Sequence, residues 1–270
     1  MIAVLFGLCA VAGCKSAPPT FETPAPAEDL YAEGIEKLEG RKILGVLPWV
    51  DHGEAIETFQ AIIDNYPYSD YAVLAELKIA DAYFDDRKYE EALSYYRDFS
   101  DLHPQHPKVP YTIWRSAQCH ERRKRSSNRD QSAVREAVVY LDRLLLSYPF
   151  SEHTEEAEEM WRSLRRQLAQ NIVGIGDFYM KRAEFESAAE RYRMLLNEYP
   201  GLGFDAATLY KLGECYWEMN RKMEAERIFQ SILQNYEGNA YASKAEERIE
   251  AGERDCGPIR GWAFWTQCER

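Results

Sequence analysis

The side chains able to do chemistry are few and scattered. His103 and His106 flank Pro104 and Gln105, and Cys119–His120 follows a short way downstream, all residue types that ligate zinc. But His103 takes a place that tyrosine fills in four sibling stretches described below, and prolines interrupt the run. No metal or other cofactor is expected. Glycine-rich phosphate loops, HExxH and GxSxG are missing from the sequence. Carboxylates are abundant but spread over polar helix faces, with no reason to pair. No catalytic constellation emerges, and no enzymatic activity is expected. Cys256 and Cys268 bracket GPIRGWAFWTQ in a tail, residues 252–270, that also carries Trp262, Phe264 and Trp265. In an oxidising compartment these two cysteines could close a disulfide loop, and the tail either caps the fold or meets a partner. Cys119 and Cys215 sit inside helix patterns and read as small buried hydrophobes. Arg122–Arg125 with Arg129 form a basic cluster that reads as a solvated loop or, alternatively, as a contact for an acidic partner surface.

Cys14 has a different chemistry. Residues 1–13 are an apolar run, too short to span a bilayer as a helix but suited to the core of a signal peptide. Val11-Ala12-Gly13-Cys14 resembles a bacterial lipobox, in which the cysteine thiol accepts a diacylglyceryl group. Cleavage would make Cys14 the acylated N-terminus, anchored through several chains at about 0.8 kcal/mol per buried methylene. Lys15, rather than aspartate, favours sorting to the outer membrane. No Lys or Arg precedes the apolar run, so the natural start is expected several residues upstream. Residues 14–29, rich in Pro and Ala, read as an extended tether of roughly 3.1 Å per residue.

The elements that must position anything else follow from one recurring phrase. It starts at Ala55, Ala92, Ala137, Ala188 and Ala225. Four places on stand Phe59, Tyr96, Leu141, Tyr192 and Phe229; seven places on, Ile62, Phe99, Leu144, Leu195 and Ile232. Tyr66, His103, Tyr148, Tyr199 and Tyr236 come at the eleventh place, and proline follows in the first four. This spacing is one face of an α-helix ended by proline. Upstream, Ala80, Gly176 and Gly213 with Tyr83, Tyr179 and Tyr216 mark preceding helices in the manner of tetratricopeptide (TPR) repeats. The expected fold is therefore an all-α, TPR-like superhelix of about five helix pairs. Tyr31–Glu39 opens the first pair, and Arg41–Gly53 is an inserted loop carrying Leu47 and Trp49 before a helix from Glu54. In the third pair KRSSNRDQS is a second insertion, between a helix over Tyr111–Arg123 and its partner from Ala133. The fourth pair opens on a long helix, Glu152–Tyr179, and Ala240–Ala251 is a polar cap. A net charge of −12 and a pI near 5.0 argue against a nucleic-acid partner or attachment to membranes through basic charge.

Taken together, these features resemble the BamD family of outer-membrane β-barrel assembly lipoproteins, from Cys14 to about Ala251. The more specific stretches are Tyr66–Ala72, His103–Tyr111, Arg129–Ala137, Tyr148–Ala157 and Leu168–Pro200. The resemblance implies a scaffold on the periplasmic face of the outer membrane. Its N-terminal repeats, residues 30–150, would receive unfolded β-barrel proteins by their aromatic-ending C-terminal strand. Its C-terminal repeats, residues 151–251, would dock a POTRA domain of the central assembly protein, beside other assembly lipoproteins. The family's docking arginine matches Arg191, whose planar fork can pair bidentately with a carboxylate. For substrate contacts the expectation is Tyr71 and Trp49, because Tyr66 and Tyr83 fall on core positions. The alternative is a periplasmic TPR lipoprotein serving cell-wall or pilus assembly.

Overall fold

A computed structural model describes residues 24–43, 47–124, 126 and 129–255. Among them are eleven helices and one short hairpin. The helices are α1 (Ala27–Glu39), α2 (His52–Asn65), α3 (Asp70–Asp85), α4 (Tyr89–Leu102), α5 (Val109–Arg123) and α6 (Ser132–Ser147). There follow α7 (Thr154–Lys181), α8 (Phe185–Glu198), α9 (Asp205–Glu218), α10 (Lys222–Asn235) and α11 (Ala240–Asp255). Five helix pairs and a final helix give the all-α, TPR-like class. No helix of the described residues is long and apolar enough to cross a membrane. The chain divides into two compact units, residues 1–76 and 77–270, with the division inside α3.

The recurring phrase becomes the second helix of each pair, and its eleventh place is the C-cap every time. The N–H groups of Tyr66, His103, Tyr148, Tyr199 and Tyr236 donate to the carbonyls of Ile62, Phe99, Leu144, Leu195 and Ile232. In the first four, proline in the next place pushes its predecessor out of the helical region, so the helix stops there. The alanine, fourth and seventh places are buried in all five second helices. Glycines at the crossings let the fourth-place ring lie against the first helix. A Cβ on Gly34, Gly176 or Gly213 would stand 2.6, 2.5 and 2.5 Å from the rings of Phe59, Tyr192 and Phe229. The turns inside the second, fourth and fifth pairs use a left-handed residue at one fixed place: Arg87 (φ 61°), Ala183 (φ 59°) and Asn220 (φ 59°).

Several boundaries differ from the sequence reading. The helix α1 begins at Ala27, taking the last residues of the Pro-rich stretch. The inserted segment Arg41–Gly53 is not all loop: β1 (Arg41–Ile43) pairs antiparallel with β2 (Leu47–Trp49). The Asp51 carboxylate caps α2 by accepting from the Glu54 N–H at 3.1 Å. The helix α5 starts at Val109, with Pro110 in the first turn where its missing N–H costs nothing. The long helix α7 runs 28 residues, about 42 Å at 1.5 Å per residue. Its first half reaches α6, through the Trp161 indole N–H to Asp142 at 2.7 Å, and its second half carries the α8 crossing.

Candidate protein-docking surfaces

Tyr71 and Trp49, the expected substrate contacts, both lie in the first unit. Tyr71 opens α3 half-buried, its ring 5.5 Å from Tyr31, which in turn meets Phe59 edge-on at 5.6 Å. Its ring thus braces helices as well as offering an accessible edge. Trp49 stands on β2 opposite Arg41. Tyr66 is less a core residue than expected: its hydroxyl donates to the Pro24 and Ala25 carbonyls, both at 3.0 Å, and so holds the chain entering α1. The most exposed aromatic here is Tyr68, fully open to solvent. Sequence reasoning passed over it, although Gly201 and Gly238 at the same place in later repeats mark the position as a turn rather than core.

In the second unit, Arg191 projects from α8 half-buried. Its only described polar contact is the Met194 sulfur, at 4.0 Å. Neither Glu190 nor Glu198, its sequence neighbours, pairs with it. Nearby arginines differ: Arg193 lies 3.6 Å from Glu186, and Arg165 donates to the Glu198 carbonyl at 2.6 Å. Met194 on α8 and Ile175 and Phe178 on α7 are partly exposed apolar side chains on these two helices. Arg182 stacks over Phe178 at 5.4 Å. An arginine with no carboxylate is the kind of group that a partner's carboxylate can engage.

Between first helices runs a ladder that the sequence reading missed. Asp81 accepts from the Tyr96 and Tyr111 hydroxyls, both at 2.6 Å, with Arg115 Nε 3.9 Å away. Asp177 accepts from the Tyr192 hydroxyl at 2.7 Å and from Lys211 at 2.7 and 2.8 Å. Glu214 faces Arg248 at 3.0 Å. Each acid directly follows the small crossing residue, and each cation stands 34 residues further on. Arg115 and Arg248 also stack over Phe84 at 3.6 Å and Trp217 at 4.7 Å. Burial, with the neighbouring acid, holds the Tyr96, Tyr111 and Tyr192 hydroxyls neutral well above the ordinary tyrosine range. At the corresponding places between the third and fourth pairs stand Gln118 and Gly174, which cannot form such a pair.

That junction is held differently. Gln131 is buried, and its amide nitrogen donates to the carbonyls of Ser126 and Arg129 at 2.9 and 2.8 Å, bracing the end of the third-pair insertion. The Gln167 amide then donates to the Gln131 side-chain oxygen at 2.8 Å. Beside Gln167, a shallow recess of about 290 Å³ is lined by Ser163, Arg166 and Gln170. Its lining is polar and has no nucleophile–base pair.

The remaining chemical candidates are dispersed. Among the described residues no group of three or more His, Cys, Asp or Glu is placed to hold a metal ion. His103 and His106 each pack on Phe99 at 5.1 Å, and His120 stacks on Tyr140 at 5.4 Å, kept neutral by burial and Arg123. Cys119 and Cys215 are free and buried, their thiols pushed up to about 12 by burial. Cys14, Cys256 and Cys268 lie outside the described residues.

Repeated helix pairs, with acid–cation rungs between several of their first helices, define a TPR-like repeat protein. The chain belongs to the YfiO family, described as outer membrane lipoprotein, whose model matches residues 25–228. It is similar to proteins named outer membrane protein assembly factor BamD. With that of Caulobacter vibrioides it shares 26% identity over 89% of this chain and 77% of the relative. With that of Vibrio cholerae the identity is 25%, over 86% and 96%. The TPR2AB domain of yeast Sti1 covers 85% of each chain at 14% identity and a TM-score of 0.44, too loose a likeness to add to the fold assignment.

Proposed function

We propose that this chain is a non-enzymatic scaffold of outer-membrane β-barrel assembly, anchored through Cys14 on the periplasmic face. The C-terminal repeats, residues 151–251, dock a POTRA domain of the central assembly protein through Arg191, and companion lipoproteins join the same machinery. The N-terminal repeats, residues 30–150, receive unfolded barrel proteins, with Tyr71 and Trp49 as contacts. The family match and the assembly-factor names of the relatives support this reading. The observation that carries the docking assignment is the Arg191 guanidinium, which has no carboxylate partner among the described residues.

The test is recovery of partners by the lipidated full-length protein, wild type against Arg191→Glu. The expected result is capture of the POTRA-bearing protein by wild type and at least a tenfold loss in the variant, because like charges would then face each other. Equal capture would overturn the docking role. Recovery of cell-wall or pilus components alone would overturn the assembly reading and leave the scaffold.

A further inference from the structure

The solvent face of one second helix breaks the pattern set by the other four. Two and nine places after the phrase alanine, the other repeats carry Glu57, Ser94, Glu190 and Arg227, and Asp64, Asp101, Asn197 and Gln234. The third repeat instead places Val139 and Leu146 there, 60% and 83% exposed, and the following turn presents Phe150 at 99%. Scattered exposed apolar residues are ordinary on a protein surface. These are not scattered: Arg135, Val139, Arg143 and Leu146 recur every three or four residues and form one stripe along α6, and Phe150 stands in the turn just past its C-terminal end. The helix packs on α5 and α7 through its buried Val134, Ala137, Leu141 and Leu144, so the stripe faces away from its neighbours.

The charges on the stripe are also uncommitted. Arg135 and Arg143 are exposed, and neither forms an ion pair among the described residues. Asp142, which sits between the rows, is engaged by the Trp161 indole, and Glu136 is the acidic group at the edge. We infer that this face of α6 is a docking site for an acidic amphipathic segment of another protein, its apolar side chains on Val139, Leu146 and Phe150 and its carboxylates on Arg135 and Arg143. Charge decides the occupant: a second copy of a chain with net charge −12 is repelled as a whole, whereas an acid-flanked apolar segment meets two free guanidinium groups. The site is separate from Arg191 and stands whether or not that arginine docks a partner.

The test places a photo-crosslinking amino acid at Leu146, and as control at Asn197 (the same place in the fourth repeat), in the full-length protein in its own membranes. The expected result is an adduct at position 146 at least tenfold stronger than at 197. Mass spectrometry should map it to a segment of another chain with Asp or Glu flanking apolar residues. Arg143→Glu should cut the yield at least tenfold and Arg143→Gln by less, with unchanged helical content. No adduct, an adduct to a second copy or to residues 256–270, a crosslinked segment without carboxylates, or indifference to Arg143→Glu would each overturn the inference.

Discussion

Two glycines two residues apart on α7 should respond to the same substitution with opposite signs. A Cβ on Gly174 meets nothing within 4 Å, and the position is exposed, so Gly174→Ala keeps only the helical gain of about 1 kcal/mol. A Cβ on Gly176 stands 2.5 Å from one Tyr192 ring carbon and 2.9 Å from another. That ring is fully buried, and its hydroxyl is tied to Asp177 at 2.7 Å, so it cannot swing clear. Overpacking of this kind costs about 2 kcal/mol. Weakening the hydroxyl–carboxylate bond adds about 1 kcal/mol. Set against the same helical gain, Gly176→Ala should lose about 2 kcal/mol net. At roughly 2–4 °C per kcal/mol for a unit of this size, Tm should fall about 4–8 °C for Gly176→Ala and rise about 2–4 °C for Gly174→Ala. Thermal and urea unfolding followed by circular dichroism measure both. Tyr192→Leu should relieve the Gly176→Ala penalty, since the third repeat already has Ala117 and Leu141 at these places. If both single variants gain stability, or the smaller ring gives no relief, the account of the helix crossing is wrong.

Two further outcomes are expected. Ala183→Gly should stabilise by about 0.5 kcal/mol, because alanine at φ 59° carries the left-handed penalty that glycine lacks, offset in part by glycine's greater chain entropy; urea unfolding reads it. The raised tyrosine hydroxyls should make the protein labile in alkali. Below the ordinary tyrosine value of 10.0 both folded and unfolded chains keep these protons. As pH rises past it, only the unfolded chain releases them, so stability falls. Between pH 9 and 11 Tyr192→Phe should therefore lose stability less steeply than wild type, and an equal slope would remove Tyr192 from the explanation.

The second helices were legible because everything that defines them is local. A phrase of thirteen residues contains its own apolar face, its capping tyrosine or histidine and, in the first four, its proline, and each landed where the spacing put it. The α1 start was not, because Ala27 follows the Pro-rich run and nothing in composition separates the two. The hairpin in Arg41–Gly53 was hidden by its brevity: three residues a side, with Pro48 inside a strand, look like loop. The ladder was missed for a different reason. Its partners lie 34 residues apart on first helices, whereas the phrases, starting on second helices, recur at uneven intervals, so no fixed comparison of the phrases brings Asp177 to Lys211. The expectation for Arg191 came from resemblance alone, and spacing would have given it no distinction from Arg193. The α6 stripe was in plain view as Val139 and Leu146, but only burial shows that these two face outward.

The ladder also says where this architecture can change length. The intervals from Ala80 to Ala117 and from Gly176 to Gly213 are each 37 residues and each holds an acid–cation rung, and the same 34-residue rung spacing recurs from Glu214 to Arg248. The two intervals that carry insertions, from Gly34 to Ala80 and from Ala117 to Gly176, begin with Ile35 and Gln118 where the acid would be. Additional chain has thus been accommodated only where no rung fixes the distance from one first helix to the next. New segments grafted at the hairpin or beside Gln131 should be absorbed as those already there have been, while an equal insertion between Asp177 and Lys211 must either loop out or break a rung.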